Sequence, residues 1–262
     1  MEGLKEVSKY QKMKQQLLTY TLRLADNALI LGHRISEWTA KAPELELDMA
    51  MQNIALDLLG EARALYQYAS ELDGQGKTED YWPYLRKEKE FVNLLLVEQP
   101  NGNFADTIAR QFLYDVYHYY LLEALQYSND PLIAAVAQKS IKEAAYHKKW
   151  SAEWMIRLGD GTDFSHTQMQ KALTLAWNYT GELFKMDEID TILLDFGVSA
   201  DLDNVRAKWQ LTVKEVLTEA TLEMPETLGF QKGGREGRHS EHLGFLLTEL
   251  QYMQRTYPNM TW

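Results

Sequence analysis

Between residues 17 and 38 the inward-facing candidates recur in steps of four and three: Leu17, Thr21, Leu24, Ala28, Leu31, Ile35 and Trp38. A seven-residue repeat sustained this long constrains the chain to a long helix packed lengthwise in a bundle. Such a helix over about 14–40 is roughly 40 Å long at ~1.5 Å per residue. Ala42-Pro43 interrupts it, and a second helix is expected over about 43–72, its positive end carrying Glu44, Glu46 and Asp48. Asp73-Gly74-Gln75-Gly76 closes that one.

A third, shorter helix is expected over about 79–97, before the turn Gln99-Pro100-Asn101-Gly102. The fourth covers about 104–127 and the fifth about 131–158. Further helices fit about 165–184, 186–195, 202–223 and 240–257, the last preceded by a glycine-rich loop from Gly229 to Gly237. No stretch alternates apolar and polar residues as a half-buried strand would. The expected fold is all-α and one domain over 1–262. Its four-helix core lies within about 14–158, and a C-terminal helical extension covers about 163–262.

Composition narrows the function. With 262 residues and 45 % hydrophobic content the chain can bury a large core. A net charge of −11 argues against a nucleic-acid partner. The absence of cysteine removes disulfides, thiolate metal sites and cysteine nucleophiles. No run approaches the ~18 apolar residues of a membrane span, and the first twenty residues lack a secretory pattern. A cytoplasmic protein is expected.

Two long helical hairpins raise a ferritin-like di-iron bundle. Such a site takes one Glu from each of two helices and a Glu-x-x-His from each of the other two. The six histidines are His33, His118, His147, His166, His239 and His242. The one literal Glu-x-x-His, Glu236 to His239, lies in the glycine-rich loop. Asp115 and His118 have the same spacing on the fourth helix; Glu143 and His147 share a face of the fifth. The second helix offers only Asp57 and Glu61, so the full ligand set is missing. The competing readings are structural: hydrogen-bonded polar pairs rather than ligands, or a lone zinc site. The ring-rich fourth helix, with Phe112, Tyr114, Tyr117, Tyr119 and Tyr120, is either core or partner interface. The loop from Gly233 to Ser240 either cradles an anion through its N–H groups and two arginines, or starts the last helix with Ser240 as cap.

Specific runs of residues go further. Asp26-Asn27-Ala28-Leu29, Ala42-Pro43-Glu44-Leu45-Glu46 and Asn53 to Gly60 are among them. So are Asn93 to Gly102, Phe104 to Gln111, Lys142 to His147, Arg157-Leu158-Gly159, His239 to Gly244, Gln251 to Arg255 and the terminal Trp262. In these the chain resembles the C-subunit family of the phenylacetyl-CoA ring 1,2-epoxidases, over all but about ten N-terminal residues. The resemblance implies a multicomponent oxygenase that puts one oxygen atom of O2 into the aromatic ring of phenylacetyl-CoA. It implies a related A subunit carrying the di-iron site, a small B subunit, and a reductase with NADPH, FAD and an iron–sulfur cluster.

The C subunit is then a non-catalytic, cofactor-free partner of the A subunit. With the A subunit's ligand spacing anchored at Trp38, Ala42-Pro43, Gly60 and Lys142-Glu143, the slots fall at Ala28, Leu58, Glu61, Asp115, Ala144 and His147. Three of these cannot bind metal. The three that remain, Glu61, Asp115 and His147, are expected to form a polar cluster with His118 and Glu143. The five rings of the fourth helix are candidate partner contacts, and a homodimer is possible in isolation. The alternatives are a metal-dependent enzyme using Asp115, His118, Glu143 and His147, or a binding module without an oxygenase partner.

Overall fold

The computed structural model describes residues 2–258 and 260, with side chains for 13–258 and 260; Trp262 lies outside the described residues. Among these there is no strand. The long helices are α1 (Glu2–Ser36), α2 (Leu45–Asp73), α5 (Phe104–Leu125) and α6 (Pro131–Gly159), with short α3 (Tyr81–Tyr84) and α4 (Leu95–Glu98) between α2 and α5. The C-terminal half adds α7 (Asp163–Trp177), α8 (Glu188–Asp195), α9 (Leu202–Glu219) and α10 (Glu241–Thr256). The fold is all-α and ferritin-like.

Local chemistry sets the ends of the long helices. Asn103 accepts from the Ala105 and Asp106 N–H groups, and the Asp106 carboxylate accepts in return from the Asn103 N–H. Asp130 caps α6 through its own side chain, ahead of Pro131. Gly74 ends α2 with φ 68°, a left-handed conformation that glycine adopts without a Cβ clash.

α1 pairs with α2 and α5 with α6; α2 also packs on α6, which closes the four-helix core. Gly32 allows the close approach of α1 to α2, since a Cβ there would sit 3.2 Å from the Ala55 carbonyl oxygen. α7 and α9 cover α5, while α8 lies against α1. One hydrophobic cluster runs from Leu18 to Leu247.

Two expectations are corrected. α1 begins at Glu2, not near residue 14. The third helix over 79–97 does not form: the segment breaks into α3, a 3-10 turn at Glu88–Glu90, and α4. Side chains on α1 capture the N–H groups that a helix would have used. The Asp26 carboxylate accepts from the Val92 N–H at 2.9 Å, and Asn27 Oδ1 accepts from the Leu94 N–H at 2.8 Å. Smaller differences follow helix ends: α7 stops at Trp177 with a 3-10 turn after it, and α9 stops at Glu219 before Thr221 turns left-handed at φ 57°.

Candidate functional site

The six slots drawn from the resemblance all face the bundle interior. Ala28, Leu58, Ala144, Asp115, His147 and Glu61 are each buried. Methyl and isobutyl groups thus occupy three of them, packed in the core. The polar groups pair across helices. His118 on α5 meets Glu61 on α2, Nε2 to Oε1 at 2.9 Å. His147 on α6 meets Asp57, also on α2, Nε2 to Oδ2 at 3.0 Å. Two histidine–carboxylate hydrogen bonds therefore tie α5 and α6 to α2.

The environment polarises these groups. Burial pulls the His118 pKa down, but the facing Glu61 carboxylate outweighs it and the net shift is upward. Burial pushes Glu61 up, and His118 reverses that, leaving it lowered. The two shifts agree: the pair is held as imidazolium and carboxylate. Asp115 behaves differently. Burial raises it to about 6, against the pull of His147 and of a hydrogen bond from Gln111. Gln111 donates to its Oδ1 at 2.6 Å. Among the described residues its Oδ2, with Gln111 Oε1 and the Nδ1 atoms of His118 and His147, is buried without a hydrogen-bond partner.

The arrangement does not suit a di-iron centre. Such a centre takes four carboxylates and two imidazoles converging on the metals. Here the histidines engage carboxylates singly, and three slots have no donor atom. Among the described residues no group of three or more His, Asp or Glu side chains converges to hold a metal ion.

The pairings differ from those that spacing suggested. Asp115 and His118 do not bond to each other; His118 stacks on Tyr114, ring centroids 5.4 Å apart. His147 takes Asp57 rather than Glu143, which is partly exposed at the edge and whose pKa is raised by burial and by Asp57. Asp57 and Gln111 were missing from the expected cluster. The i,i+4 spacing of Asp57 to Glu61 and of Gln111 to Asp115 is the signal that could have found both.

Phe112, Tyr114 and Tyr117 are corrected as partner contacts. All three are buried within this chain, Phe112 at 0 % exposure and both tyrosines at 2 %, because α7 and α9 cover that side of α5. Tyr119 and Tyr120 remain half-exposed, with the Lys148 ammonium 3.6 Å from the Tyr119 ring centroid.

The glycine-rich loop does bind anions, but they are this chain's own. The buried Glu182 carboxylate accepts from the Gly233, Arg235 and Leu95 N–H groups. Glu98, also buried, accepts from the Ser240 N–H, Asn93 Nδ2 and His239 Nδ1. His239 Nε2 donates to the Phe91 carbonyl at 2.9 Å, so both ring nitrogens face acceptors and the ring is cationic. Ser240 starts α10 without a side-chain cap bond. Glu236 points away, to Lys185 and Arg238, so the literal Glu-x-x-His does not gather on one ion.

Comparison with known proteins decides the lineage. The family profile described as "Phenylacetic acid catabolic protein" matches residues 4–262. The chain belongs to this family. Within it, the chain is 51 % identical over 247 residues to the C subunit of the 1,2-phenylacetyl-CoA epoxidase of Escherichia coli (strain K12). That alignment covers 94 % of this chain and 99 % of the relative. Among the described residues no helix is long and apolar enough to cross a membrane.

Proposed function

We propose that this chain is the structural, metal-free subunit of an oxygenase that epoxidises the aromatic ring of phenylacetyl-CoA, acting in the cytoplasm in aerobic phenylacetate degradation. The observation that carries this reading is the end-to-end similarity to the C subunit of such an epoxidase. The apolar side chains in three ligand slots support it from the structure. In this reading oxygen activation belongs to a related, di-iron A subunit, and electrons come from a reductase using NADPH, FAD and an iron–sulfur cluster. A small B subunit completes the assembly. This chain supplies rigidity: His118–Glu61 and His147–Asp57 hold α2, α5 and α6 together where a metal centre would do so in a catalytic relative. The reading as a metal-dependent enzyme using Asp115, His118, Glu143 and His147 is disfavoured by these separate pairings.

Co-expression with the A subunit tests the proposal. The expected result is a stable heteromer, with phenylacetyl-CoA epoxidation in the presence of reductase that falls to background when this chain is omitted. Full activity from the A subunit and reductase alone would refute it.

A further inference from the structure

Between α4, the start of α5, the end of α7 and the first turn of α10, the surface opens into a cavity of about 340 Å3. Leu96, Pro100, Ala172, Leu175 and Ala176 supply much of its lining. Leu175 is 54 % exposed there, although Leu173 and Trp177 beside it on α7 are buried. A concave, largely apolar site with a few polar groups is the usual form of a small-molecule pocket. The most buried polar residue of this lining is Arg110, 2 % exposed.

Arg110 is a buried cation without a counter-ion. The other buried arginines, Arg23, Arg34 and Arg86, each reach a carboxylate: Asp187, Glu37 and Asp26. Of the five N–H groups of a guanidinium, Arg110 donates two, to the Gln99 carbonyl at 2.7 Å and to Asn101 Oδ1 at 2.9 Å, both neutral acceptors. Among the described residues its Nε is buried without a partner, and no carboxylate lies within ion-pair distance of it. Nearby carboxylates are already engaged. Glu37 holds Arg34, and Glu98 holds His239. Asp106, which also lines the cavity, accepts from the Asn103 N–H at 2.9 Å at the positive end of α5, and it is not among the charges that shift Arg110. Burial and the Arg34 cation lower the Arg110 pKa to about 9. A buried charge is costly unless it is paired, so this site is short of one negative charge.

We propose that this cavity binds a small monocarboxylate with a hydrocarbon body, a single ring or a short chain, whose carboxylate pairs with the Arg110 guanidinium. The inference goes beyond the functional reading above and does not rest on it. The unpaired cation sets the charge of the ligand, and the apolar lining sets its body. A guanidinium with N–H groups to spare takes a carboxylate in charge-assisted hydrogen bonds, which are stronger than those it makes to neutral acceptors. Because α4, α5, α7 and α10 all border the cavity, a bound ligand ties the C-terminal helices to the core and stabilises the folded chain by linkage.

Calorimetric titration of the full chain with hexanoate and with 3-phenylpropanoate, each beside its own neutral amide, tests the site. At least one carboxylate is expected to bind and to raise the melting temperature, with its amide at least about tenfold weaker. Arg110 also ties Gln99 and Asn101, so the variant that carries the test is Ala176→Phe, which fills the cavity and leaves the guanidinium in place. It is expected to weaken carboxylate binding at least about tenfold. An NMR readout needs no variant: the Arg110 Nε–H proton moves downfield as carboxylate is added. No binding of either carboxylate, equal affinity for acid and amide, wild-type binding by Ala176→Phe, or an unmoved Nε–H resonance overturns the site.

Discussion

In the clasp between residues 86–98 and 229–240, three buried carboxylates have a partner on every oxygen. Asp26 accepts from Tyr66, the Val92 N–H and Arg86, whose guanidinium also lies 4.1 Å from the Phe91 ring centroid. Glu98 and Glu182 are filled by backbone and side-chain donors. At the bundle centre a carboxylate oxygen and two imidazole nitrogens go unfilled: among the described residues Asp115 Oδ2, His118 Nδ1 and His147 Nδ1 are buried without partners, whereas the atoms left over in the clasp are the neutral Asn93 Oδ1 and Ser240 Oγ. A fully satisfied buried carboxylate fixes irregular backbone, because leaving any donor unpaired would cost free energy. A partly satisfied group is tolerated where packing already holds the helices. The clasp is therefore built for structure, whereas the centre carries polar groups that a metal-free bundle does not need in full.

The largest effect should come from breaking the clasp. Arg86→Met leaves Asp26 buried and uncompensated, and we expect a loss of about 3–5 kcal/mol in denaturant unfolding. His239→Gln removes an imidazolium held by Glu98 and the Phe91 carbonyl, for a loss of about 2–3 kcal/mol at pH 6. Burial pulls the His239 pKa down, but Glu98 more than offsets this and the net shift is upward. A raised histidine pKa contributes stability that is complete below the unfolded value of about 6.5 and fades as pH rises through the folded value. The gap between wild type and His239→Gln should thus narrow above pH 7, measured by unfolding across pH 5.5–9.

Asp115→Asn should act in the opposite direction. A carboxyl whose folded pKa is raised to about 6 lets the folded state bind the proton more tightly, so stability is highest at acid pH and is lost as pH rises from about 4 to 6. The asparagine variant should gain about 1–2 kcal/mol at pH 7 and lose that pH dependence. A destabilised variant would show that the centre is as tightly built as the clasp. Smallest of all, Glu236→Ala should leave the melting temperature unchanged, since the ion pairs of Glu236 with Lys185 and Arg238 are exposed.

The long helices were legible because their apolar repeat is a property of local sequence; α2, α5 and α6 lie close to where turn and cap residues placed them. The segment 79–97 was not legible. Its composition suits a helix, but its backbone donors are taken by Asp26 and Asn27, more than sixty residues away in sequence. At the candidate site, spacing located the residues but not their partners. A helix face shows which side chains can meet on that helix, while His118–Glu61 and His147–Asp57 depend on the register between helices. The same limit explains Phe112, Tyr114 and Tyr117: nothing within α5 reveals that α7 and α9 cover them.

Whether this subunit works without metal of its own is decided most directly by its iron content after separation from an active, iron-supplemented complex. No stoichiometric iron is expected on this chain, with the iron retained by the A subunit. About two irons per chain, the complement of a di-iron bundle, would contradict the metal-free reading.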